Sequence, residues 1–157
     1  MLNSVTLRAF GLAAVIVLGG GCAQHSGVME EGVMQQETST DPASAQGVSW
    51  QWLSKTTHKE MLEVAQPERY TLVLQPDGRV QAQFDCNKGQ GSYEMSAGRL
   101  NFGPIATTMM ACVPGSLDSD FGRALQQAES FRVENGELLL GLEAEDGTLR
   151  FRAAPLH

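Results

Sequence analysis

The strongest constraint on this chain is a period of two. Tyr70, Leu72 and Leu74 fall on one side of an extended run, and Val80, Ala82, Phe84 and Cys86 fall on one side of the next, opposite Gln81, Gln83 and Asp85. Leu100 and Phe102 repeat the alternation, as do Phe131 and Val133, then Leu138, Leu140 and Leu142, then Leu149, Phe151 and Ala153. Successive side chains of a strand point to opposite faces, so each run reads as a strand with one face buried. Turn signals separate the runs: Pro76-Asp77-Gly78, Ser96-Ala97-Gly98, Glu134-Asn135-Gly136 and Asp146-Gly147. Asn-Gly and Asp-Gly tolerate the positive φ of tight hairpins, so neighbouring strands are expected to pair antiparallel as a meander. Trp50 and Trp52, two apart, share a strand face and are expected in the core, with a binding rim as the alternative.

One segment breaks the period. After Pro114-Gly115, Ser116 can cap a helix of about thirteen residues whose first turn holds Asp118 and Asp120 and whose apolar stripe is Leu117, Phe121, Ala124, Leu125 and Ala128. Closing a sheet on itself removes its exposed edges. The expected fold is therefore mainly β with one helix: a small antiparallel barrel or strongly curved meander of about seven to nine strands, the helix covering one end. At about eight strands, side chains alone can fill the interior.

Upstream of residue 48 the character of the chain changes twice. Residues 1–21 carry one basic residue, Arg8, and an apolar run from Leu12 to Leu18, shorter than the ~20 residues a membrane span needs, which marks a signal peptide. Gly20 and Gly21 before Cys22 resemble the end of a bacterial lipobox, although Leu18 lies one position further from Cys22 than the lipobox leucine usually does. Lipidation of Cys22 is the expectation, and an ordinary cleaved signal is the alternative. Ala23, in place of Asp, resembles lipoproteins sent to the outer membrane, so the expected location is the bacterial envelope, facing the periplasm, with the lipid on Cys22 holding the membrane. Residues 22–47 are polar, contain Glu30, Glu31, Glu37 and Asp41 and no Lys or Arg, and read as a flexible acidic tether. Residues 48–157 form one domain. The net charge of −7 argues against nucleic acid, whose binding depends on neutralising phosphates.

Two blocks carry a resemblance. Asp85-Cys86-Asn87-Lys88-Gly89-Gln90-Gly91-Ser92-Tyr93 and the run from Leu100 to Cys112, with Trp52-Leu53 near the domain start, are similar to the META domain (HslJ-like) family. The motif positions are Trp52, Asn87, Gly91, Tyr93, Phe102, Gly103, Pro104, Thr107, Thr108, Met110 and Ala111. Two positions depart: Asp85 stands where the family usually has Gly, and Met109 where it often has a basic residue. The resemblance implies a lipocalin-like barrel in the bacterial envelope, associated with heat and antibiotic stress and without an established enzymatic activity. An envelope protein partner of unknown identity is compatible with it.

Three cysteines remain to be placed. If Cys22 is lipidated, Cys86 and Cys112 are left in an oxidising compartment, which favours a disulfide; two separate buried thiols are the alternative, since the alternation turns Cys86 inward. A cysteine nucleophile needs a base, and the histidines are His25, His58 and His157, of which only His58 is placed near the domain core. No catalytic residue, metal site or cofactor is expected. Lys88-Gly89-Gln90-Gly91 lacks the spacing and the following helix of a phosphate loop; Gly89 and Gly91 are expected to allow a bulge or tight bend beside Cys86. Met109 and Met110 are expected to fill irregular gaps or to line an adaptable apolar site. The functional expectation is a non-catalytic envelope lipoprotein in stress tolerance. Alternatives are a periplasmic inhibitor of a secreted basic enzyme such as lysozyme, towards which an acidic domain is steered, and a binder of a small apolar ligand.

Overall fold

The turn signals at Pro76-Asp77-Gly78, Ser96-Ala97-Gly98 and Glu134-Asn135-Gly136 become hairpins, and Asp146 of the fourth lies outside the described residues. In the computed structural model, which describes residues 37–143 and 147–155, ten strands and one α-helix follow one another as β1 (Thr38–Ser39), β2 (Ser49–Thr56), β3 (Met61–Glu63), β4 (Tyr70–Leu74), β5 (Arg79–Phe84), β6 (Asn87–Ser96), β7 (Arg99–Thr107), α1 (Asp118–Gln126), β8 (Ala128–Glu134), β9 (Glu137–Leu142) and β10 (Gly147–Ala153). The expected signal peptide, Cys22 and the tether as far as residue 36 lie outside the described residues. Ala97 and Gly98 turn β6 into β7 with φ of 47° and 81°, and Asn135 and Gly136 turn β8 into β9 with 51° and 79°. Both residues at positive φ is the two-residue hairpin geometry that matches strand twist.

The strands pair in the order β8-β7-β6-β5-β4-β2-β10-β9, and β9 pairs again with β8, so the antiparallel sheet closes into a barrel-like ring. β3 is a short flap on β2, and β1 adds to β8. The β7–β8 seam is the thinnest, registered through Arg99 and Ser130. Pro104, which has no N–H to give, sits on the stretch of β7 beyond that pair.

Alternation fills the ring. Trp52, Leu72, Leu74, Leu100, Leu138, Leu140, Leu149 and Phe151 are fully buried inside it. The two tryptophans are core: Trp50 donates its ring N–H to the Ala45 carbonyl at 2.8 Å, and Trp52 to that of Ser54 at 2.9 Å. From α1, Phe121 enters one end, stacked on Trp52 with ring centres 4.9 Å apart and edge-on to Tyr70. The helix covers that end as expected, but it is shorter. Ala128, assigned to its apolar stripe, is instead the first residue of β8, paired with Leu142. Its start is also held differently. The Ser116 hydroxyl accepts from the Asp118 N–H at 3.3 Å, and the Tyr70 hydroxyl reaches from the sheet to accept from the Leu117 N–H at 2.9 Å.

The opposite end corrects the tether. Residues 38–47, expected to be flexible, are built onto the ring: Thr38 and Ser39 pair with Glu134 and Val133, Ala45 is fully buried, and Gly47 donates to the Leu74 carbonyl at 2.8 Å. Polar composition hid a segment that needs one small apolar residue, Ala45, and otherwise bonds through backbone and amide groups.

Candidate functional site

The two motif blocks meet at a corner of the ring beside α1. β5 ends at Phe84 and β6 begins at Asn87, so Asp85 and Cys86 form a two-residue turn. Asp85 takes φ of 60° and Cys86 does not, the pattern of a hairpin that puts glycine first; this accounts for the position where the resemblance expected Gly. Asp85 is held there by its surroundings. Its N–H donates to the Arg69 carbonyl at 2.8 Å, and its carboxylate, 1% exposed, is ion-paired with the Arg69 guanidinium.

Cys86 is not an inward strand residue, as the alternation suggested, because the turn ends the alternation one residue earlier. It is half-buried and bonded to Cys112, with Cα atoms 5.6 Å apart. The alternative of two separate thiols is excluded, and neither sulfur is free to act as a nucleophile.

Asn87, which is buried, clamps the following loop. Its side-chain oxygen accepts from the Met110 N–H at 2.8 Å and from the Thr108 hydroxyl at 2.9 Å, while its nitrogen donates to the Met110 carbonyl at 3.0 Å. Thr108 in turn accepts from the Lys88 N–H at 3.0 Å. The loop is thus fixed at its backbone, and its side chains are left outside. Met109 is 94% exposed and Met110 57%, so neither fills a core gap. A groove of about 480 Å³ separates this loop from α1, where Gly122 leaves the ring of Phe84 at its floor.

Other motif residues lie elsewhere. Gly103 and Pro104 form a bulge on β7 opposite Ser92, between the pairs Gly91–Ile105 and Tyr93–Phe102, so the expected bulge is on the neighbouring strand and further from Cys86 than Gly89 and Gly91 suggested. A Cβ on Gly91 would lie 2.5 Å from the Pro104 carbonyl oxygen, which explains the glycine. Phe102 packs at the margin of the core, and Thr107 and Ala111 are exposed at the corner. Trp52 lies at the centre. Tyr93 lies at the far end, where its hydroxyl donates to the Gln75 carbonyl at 2.6 Å and accepts from the Gln46 amide at 2.8 Å; burial pushes this hydroxyl above its ordinary pKa. On the surface nearby, hydrogen bonding to Arg79 holds the Asp77 carboxyl below the ordinary carboxylate value. Among the described residues, no group of three or more His, Cys, Asp or Glu is arranged to hold a metal, and His58 is an exposed residue of the turn after β2.

A closed antiparallel ring with a helical plug, an Asn-clamped loop and a disulfide across the two blocks define a small β domain. The chain belongs to the META domain family, whose sequence model matches residues 44–155. A solved structure of a protein from Burkholderia xenovorans is similar, at 24% identity and a TM-score of 0.61, over 74% of this chain and 90% of that one. A DUF4847 family protein from Bacteroides vulgatus shares the fold at 13% identity and a TM-score of 0.52, over 72% of this chain and 96% of its own. The search of curated proteins found no match.

Proposed function

We propose that this chain is a non-catalytic lipoprotein of the bacterial envelope, of the META (HslJ-like) type, anchored through lipid on Cys22 in the outer membrane, facing the periplasm, and acting in tolerance of heat, antibiotic or envelope stress. The observation that carries the reading is that the domain has both of its thiols in a disulfide and its interior full of side chains. Such a domain works by what it binds at its surface. Family membership supports the type. The lipobox-like end before Cys22 supports the anchor, and among the described residues no helix is long and apolar enough to cross a membrane. A small apolar ligand in the lumen would have to displace Trp52, Phe121 and Phe151, and the enzyme-inhibitor alternative draws support from net charge alone.

Metabolic labelling with a clickable fatty acid tests the anchor. The wild-type chain is expected to carry label and to sediment with outer membranes, and Cys22→Ala to lose both. A Cys22→Ala chain that stays in the membrane fraction overturns the anchor. Survival of a deletion strain under heat and antibiotic challenge, restored by the wild type and not by Cys22→Ala, tests the role.

A further inference from the structure

The outward face of β4 to β7 is concave. Behind it, Ala82, Gly89 and Gly91 place little bulk inside the ring, and a Cβ on Gly89 would lie 2.8 Å from the Phe84 ring and 2.9 Å from Ile105 and Thr107. Outside these positions lies a trough of about 650 Å³. The pairing register decides its lining. Val73, Gln81, Gln90 and Ala106 lie side by side across four strands, and Thr71, Gln83 and Lys88 form the next row.

The charge of its lining separates this surface from the rest of the chain. The chain carries a net charge of −7, yet among the described residues no carboxylate lines the trough, and the one charged residue there is Lys88. The polar groups of Gln81, Gln90 and Lys88 are exposed along its length, open to a ligand.

We propose that the trough binds an extended amino-sugar chain bearing a carboxylate. Side-by-side amides and hydroxyls, set about 4.8 Å apart by the strand spacing, offer paired donors and acceptors to hydroxyl and acetamide groups. Lys88 supplies a charge-assisted bond to the carboxylate. A peptide is the poorer fit. β4, β5 and β6 are paired along both edges, so a peptide cannot add as a strand, and Val73 and Ala106 give its side chains no deep pocket. The site is independent of the anchor on Cys22 and stands or falls without it.

Titration of the ¹⁵N-labelled mature chain in detergent micelles with the disaccharide of N-acetylglucosamine and N-acetylmuramic acid tests the proposal. Shift changes are expected at Gln81, Gln83, Lys88 and Gln90. Lys88→Gln should weaken binding about tenfold, to the level of neutral di-N-acetylglucosamine, with an unchanged unfolding midpoint. Gln81→Glu, which puts a carboxylate in the trough, should weaken it as well. Shifts elsewhere or none, equal binding by Lys88→Gln, or a stronger response to a glutamate-containing tripeptide than to the sugar overturns the proposal.

Discussion

Both halves of the Asn87 amide are spent on the loop that carries Met109 and Met110. Asn87→Ala would remove the three hydrogen bonds that the buried Asn87 amide makes to Thr108 and Met110, so a loss of about 2–3 kcal/mol is expected by urea unfolding, with new protease cleavage near Met109. A loss below about 0.5 kcal/mol would mean the clamp is idle. Tyr93 gives a pH dependence with a defined sign. Its hydroxyl is raised above the ordinary value of 10.0 because burial favours the neutral form, so its contribution is fully present below pH 10.0 and is lost as pH rises through the raised value. Tyr93→Phe should flatten the alkaline fall in the urea midpoint, while removing two hydrogen bonds at neutral pH. Neither role was legible from the residues alone. The motif block named Asn87 and Tyr93, but alternation says only which face a side chain takes, and Asn87 finds its partners 21 and 23 positions later.

At the scale of elements, the disulfide and the helix show different kinds of legibility. The pairing of Cys86 with Cys112 was favoured by counting cysteines in a chain expected to be exported, and it is present. Replacing both by alanine should lower stability by about 3.5 kcal/mol in the chain-entropy picture for a separation of 26 residues, read as a shift in the urea midpoint; reduction of the wild type should give a similar loss. A fall under about 1 kcal/mol would show that the Asn87 clamp already holds the loop. The helix stripe of Leu117, Phe121, Ala124 and Leu125 was readable from its spacing. The length of the helix was not, because Ala128 is claimed by pairing with Leu142, and the N–H of Leu117, just before the helix, is satisfied by Tyr70, 47 residues earlier in the chain.

At the scale of the molecule, both ends of the ring are closed, one by Phe121 and the other by residues 38–47. A chain begun at Val48 should therefore be less stable than one begun at Glu37 by about 2 kcal/mol or more, since it loses buried Ala45, the Trp50 bond and the Gln46–Tyr93 bond. Thermal unfolding of the two chains measures this directly, and equal midpoints would return residues 38–47 to the tether. The sequence by itself determined the β class, the antiparallel hairpins, the inward residues other than Cys86 and Ala153, and the family, because period-two burial and turn chemistry are local and repeat along the chain. Only the tertiary structure decided that β8 and β9 close the ring, that residues 38–47 cork it, that Cys86 lies in a turn and that four strands shape a trough lined by Lys88 and amides. Those outcomes depend on which distant backbone groups and side chains come to share a partner, and no local pattern encodes that.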